Sequence, residues 1–126
     1  MITEYVNIKQ ITASIGGYFG SSYIVEVEFV NGKITYEVRE DGGLEPSLAV
    51  QRDNEGIAIF REELTKCRIL GWEHEYIDPN ALDGTHWSLD IVFEDKVLHI
   101  NGSNAYPKEW KRFCKSIRKL TGRPFE

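Results

Sequence analysis

Apolar and polar residues alternate most cleanly from Tyr23 to Val30, where Tyr23, Val25, Val27 and Phe29 share one face and Glu26 and Glu28 the other. That is the two-residue period of a half-buried strand. Asn31-Gly32 follows, a pair that accepts positive φ and so marks a tight hairpin turn. The return strand places Ile34, Tyr36 and Val38 inward and Thr35, Glu37 and Arg39 outward. One buried face and one wet face belong to an antiparallel sheet. The pattern recurs further on, with Trp87, Leu89, Ile91 and Phe93 on one face, a turn at Glu94-Asp95-Lys96, and a return from Val97 to Ile100. There Val97 and His99 oppose Leu98 and Ile100.

Each hairpin is followed by a stretch with helical spacing. Asp53 or Asn54 caps a helix that runs to about Leu70, stops at Gly71 and turns Ile57, Phe60, Leu64 and Cys67 inward. A terminal helix starts at Tyr106-Pro107, where proline suits the first helical position. Trp110, Phe113, Cys114, Ile117 and Leu120 form its apolar stripe, and Gly122 and Pro124 end it.

The remaining segments are less regular. Residues 2–15 alternate loosely and change phase between Ile8 and Ile11, which predicts a bulge or two short strands. Gly16-Gly17-Tyr18-Phe19-Gly20 reads as a turn. Leu44, Leu48 and Val50 anchor a connection or form a short extra strand. Residues 72–82 read as irregular, with a turn at Asp78-Pro79-Asn80. The expected architecture is one α+β domain over residues 1–126. It comprises an antiparallel sheet of four to six strands with two helices packed on one face, in two hairpin-then-helix units.

Charge sharpens this picture. The 126 residues carry a net charge of −5, but residues 1–106 hold 18 acids against 8 bases and residues 107–126 hold 7 bases against 2 acids. An acidic body therefore bears a basic terminal helix. Acidity of the whole disfavours general binding to nucleic acid. No apolar run approaches a membrane span. Met1-Ile2-Thr3-Glu4 lacks the basic start and apolar run of a secretory signal. The expectation is a cytoplasmic protein with Cys67 and Cys114 as reduced core thiols.

Candidate chemistry is sparse. His74, Glu75, Asp78 and His86, with Glu73 and Asp83, offer ligand atoms for a metal-dependent enzyme, but HExxH fails because Ile77 and Asp78 stand where histidine is needed. Both cysteines sit inside helix stripes, where a thiol is inert. Ser103 lacks the following glycine of a nucleophile elbow. No cofactor is implied. Three surfaces remain. Lys111, Arg112, Lys115, Arg118 and Lys119 could contact phosphates, which makes a nucleic-acid binder an alternative reading. Glu26, Glu28 and Glu37 form an acidic strip suited to a basic protein partner. Tyr18, Phe19, Trp72 and Tyr76 are aromatic anchor material for an interface.

Asp83-Gly84-x-x-Trp87-Ser88-Leu89, then Gly102-Ser103-Asn104-Ala105-Tyr106-Pro107 and a closing helix, resemble small bacterial domains found mainly in Firmicutes, alone or behind lipoprotein leaders. The likeness spans the last third of the chain. It implies a compact α+β domain of bacterial or phage origin and no catalytic residues. Within it, Tyr106 is expected to pack against the sheet. The function expected is non-catalytic: a small binding or regulatory protein acting by protein contact, in its sharpest form an inhibitor carried by a phage or mobile element.

Overall fold

A computed structural model describes residues 2–17, 21–40, 43–44, 47–80 and 84–125. The class is the expected α+β, and the sheet is larger than expected, with eight strands among the described residues. In chain order they are β1 (Gln10–Gly17), β2 (Ser22–Glu28), β3 (Lys33–Glu40), β4 (Gly43–Leu44), β5 (Leu48–Val50), β6 (Glu75–Ile77), β7 (Thr85–Val92) and β8 (Val97–Ser103). The spatial order is β4-β3-β2-β1-β7-β8-β6, with β5 also paired to β3. Every pairing is antiparallel except β6 with β8. Each hairpin thus flanks β1, which joins them.

The first residues depart from expectation. Ile2–Asn7 is a 3-10 helix rather than a strand. The phase change at Ile8 marks the passage from that helix into β1. Ile8 is buried in the connection, and Ile11, Ala13 and Ile15 restart the inward face. Between β2 and β3 the chain turns through four residues, since Glu28 pairs with Lys33. Only Gly32 of the expected pair adopts positive φ, at 73°. Asn31 instead accepts the Lys33 N–H through its side chain, at 2.9 Å.

The helices α1 (Asn54–Cys67) and α2 (Trp110–Thr121) cover one face of the sheet. Asp53 caps α1 by accepting the Gly56 N–H at 2.8 Å. The chain leaves α1 through Arg68 in the left-handed region and a 3-10 turn at Ile69–Gly71. A turn from Pro107 to Trp110 precedes α2, which starts later than the proline predicts. The expected stripes, Ile57, Phe60, Leu64 and Cys67 on α1 and Trp110, Phe113, Cys114, Ile117 and Leu120 on α2, face the sheet and join Ile11, Val25, Ile34, Leu89 and Ile100 in one core. The C-terminal segment folds back on this core. Pro124 O accepts the Tyr36 hydroxyl at 2.6 Å, and Phe125 is buried.

Candidate functional site: the open face of the sheet

Strand alternation that sends Ile11, Val25, Tyr36 and Leu89 into the core sends their neighbours to the uncovered side. Register then fixes who stands beside whom. One row reads Thr35, Glu26, Thr12, Asp90 and His99 across β3, β2, β1, β7 and β8. The next reads Glu37, Ile24, Ser14, Ser88 and Asn101, and the row on the other side Lys33, Glu28, Gln10, Val92 and Val97.

Polar contacts tie these rows together. Gln10 Nε2 donates to Glu26 Oε1 and to Thr12 Oγ1, each at 3.3 Å. The hydroxyls of Ser14 and Ser88 share a hydrogen bond at 2.6 Å across the β1–β7 seam. His99 Nδ1 lies 2.7 Å from Asp90 Oδ1. Glu28 accepts from Asn31 Nδ2 at 3.2 Å, and Arg39 sits 3.7 Å from Glu37. Glu26 and Glu28 are two residues apart on one strand, and Glu37 is the diagonal neighbour of Glu26. Such diagonal positions lie about 7–8 Å apart. The three glutamates therefore form one patch, partly offset by Lys33 and Arg39, with Asp90 in the same row as Glu26.

The other predicted residues fare differently. Tyr18 and Phe19 lie outside the described residues. Trp72 is not an interface anchor: it is 9% exposed, edge-on to Trp87 and Phe113, and its Nε1 donates to Cys67 O at 3.0 Å and Glu109 Oε1 at 3.2 Å. An indole whose N–H finds partners inside the fold gains more from burial than from exposure. Tyr76 is half-buried against Trp87, and its hydroxyl accepts the Glu73 N–H at 2.8 Å. Tyr106 is 40% exposed; it lies against the Trp110 ring and borders a depression lined by Ile15, Gly16 and Thr85 of the sheet.

His74, Glu75 and Asp78 surround β6 at the sheet edge, whereas His86 stands on β7 opposite Gly16 and Ser103. Among the described residues no three His, Cys, Asp or Glu side chains gather closely enough to hold a metal ion. On α2, Lys111, Arg112, Lys115, Arg118 and Lys119 are exposed, and Arg112 donates to Glu63 Oε1 at 3.2 Å. That hydrogen bond, with the charge of Arg112, holds the Glu63 carboxyl below the ordinary carboxylate range. No helix among the described residues is long and apolar enough to cross a membrane.

No protein-family model matches the chain, and no curated protein matches it significantly.

Alternation alone marks Glu26, Glu28 and Glu37 as outward. It does not bring Asp90 and His99 to them, because that requires the pairing of β1 with β7.

Proposed function

We propose that the chain is a non-catalytic binding protein that recognises a basic protein surface through the open face of its sheet. The observation that carries this reading is the gathering of Glu26, Glu28 and Glu37 on an uncovered face, with Asp90 two strands away in the row of Glu26. Five adjacent strands make that face roughly 24 Å wide, a breadth suited to a protein surface rather than a small molecule. A regulatory role, and in its sharper form inhibition of a host system by a phage or mobile-element product, agrees with an acidic chain of this size. Free, buried Cys67 and Cys114 suit the cytoplasm as compartment. Binding of nucleic acid through α2 and metal-dependent catalysis from residues 73–86 have less support: the body of the molecule repels polyanions, and the candidate ligands are dispersed.

The test is native mass spectrometry of the protein isolated gently from its host, beside the Glu26→Lys/Glu28→Lys double variant. A protein partner carried by the wild type is expected to dissociate at least about ten-fold more readily from the variant, with unchanged thermal unfolding. A partner held equally by both, or a wild type that carries none, sinks this reading.

A further inference from the structure

On the side of the molecule away from the open sheet face, α1 and α2 run antiparallel. Arg52 at the start of α1 donates to Leu120 O and Lys119 O, Glu63 meets Arg112 midway, and Trp72 beyond the end of α1 donates to Glu109. Between the helices lies an open groove of about 260 Å³ lined by Gly56, Ile59, Phe60, Glu63, Ser116 and Leu120. It continues past Lys119 into a second depression of about 440 Å³ lined by Lys111 and Lys115.

Two features of this groove bear on what it can hold. Ile59 is 54% exposed although the inward stripe of α1 is complete without it. Gly56, one turn earlier, leaves the groove floor without a side chain. Lys111, Lys115 and Lys119 form one wall, four residues apart, which is about 6 Å per step along a helix. None of the three makes an ion pair among the described residues; of the two carboxylates that line the groove, Glu63 is engaged by Arg112 and Lys66, and Asp53 caps α1.

We infer that this groove docks an acidic amphipathic helix of a partner protein. A third helix laid between the two sets carboxylates at four-residue intervals against the lysines, in matching register. Its apolar stripe covers Ile59 and the edges of Phe60 and Leu120, the usual mode of helix-in-groove recognition. A nucleic-acid backbone satisfies the lysines but leaves Ile59 uncovered and meets the acidic body. The groove is separate from the glutamate patch, so the two surfaces stand or fall independently.

The probe is a fluorescein-labelled synthetic peptide of about 15 residues, with glutamate at every fourth position beside a leucine stripe, read by anisotropy on the full chain at about 0.15 M salt. Saturable binding with a micromolar dissociation constant is expected. It should weaken at least about ten-fold in Lys115→Glu and about five-fold in Ile59→Ser, and stay within about two-fold in Glu26→Lys/Glu28→Lys. Three results would overturn the inference. One is no saturation below about 1 mM. Another is equal binding of a scrambled peptide or equal affinity in Ile59→Ser, which would reduce the contact to charge alone. The last is displacement by a 12-nucleotide DNA strand that binds more tightly than the peptide, which would make phosphate the occupant.

Discussion

The indole of Trp87 fills the space over Gly102: a Cβ on that residue would lie 2.2 Å from the indole Nε1. The same nitrogen donates to Ala105 O at 2.9 Å, and the ring lies 4.5 Å from that of Trp110. Glycine at position 102 thus lets β8 approach the ring that links the sheet, the loop after β8 and α2. The Trp-Ser-Leu and Gly-Ser-Asn-Ala-Tyr-Pro segments meet at this contact.

Gly102→Ala is expected to displace the indole, break its bond to Ala105 and cost about 2–3 kcal/mol. Urea unfolding followed by tryptophan fluorescence measures this. A midpoint equal to wild type would mean that the ring has another seat.

Asn104 holds the exit from β8 in the left-handed region, at φ 58°, while its N–H donates to Thr85 O at 2.9 Å and its Oδ1 accepts the Thr85 N–H at 3.0 Å. Asn104→Ala loses the acceptor and the tolerance for positive φ, for about 1–2 kcal/mol. Asn104→Gly restores the backbone freedom alone and should recover part of the loss in calorimetry. Equal melting of both variants would show that the backbone conformation carries no cost there.

Burial, with the charge of Glu63 adding to it, pushes the Cys67 thiol up to about 11. Cys114 is fully buried as well. Neither thiol should react with an aromatic disulfide reagent in native protein at about pH 8, because Cys67 is scarcely ionised there and Cys114 is sealed in the core. Both should react in denaturant. Rapid native labelling of Cys67 would contradict the packing around it.

The pairing of Glu63 with Arg112 lowers the Glu63 pKa below its ordinary 4.5. A carboxyl with a depressed folded pKa contributes stability above its unfolded pKa and loses it as pH falls through the folded value. Arg112→Gln should therefore lower the urea midpoint near pH 7 and narrow the gap to wild type below about pH 3. The pair is near the surface, so the effect is small. A gap between the two proteins that is constant with pH would assign the loss to packing.

Periodicity disclosed what local spacing controls. Ile57 to Cys67, Trp110 to Leu120 and most of the inward strand residues occupy the core that their spacing implies, while Tyr23, Phe29, Val38 and Leu98 pack half-buried at its margin. The 3-10 helix at Ile2–Asn7 escaped because Val6 and Ile8 mimic strand alternation over too few residues. Strand β6 escaped because Glu75-Tyr76-Ile77 is three residues long among charges, and its parallel partner, Asn101 to Ser103, is remote in sequence. Trp72 was misplaced because an aromatic beside Gly71 and Glu73 looks exposed until Cys67 O and Glu109 are found around its nitrogen. The glutamate patch was half legible: outward orientation follows from alternation, while its company depends on pairing between distant strands.

That pairing also governs the order in which the chain can be completed. β1 lies at the centre of the sheet, yet Gln10 pairs with Val92 and Gly17 with Thr85. A ribosome releases β1, β2 and β3 as an early meander, whose innermost strand carries an unsatisfied edge until the second hairpin emerges. Such long-range closure slows folding and leaves strand edges open to wrong partners in the interval. Pulsed hydrogen exchange should record protection of the amides shared by β1 and β7 after those shared by β2 and β3; simultaneous protection would refute that sequence. The nascent protein therefore finishes from the inside, with the seam down the middle of its sheet closing after both flanks have formed.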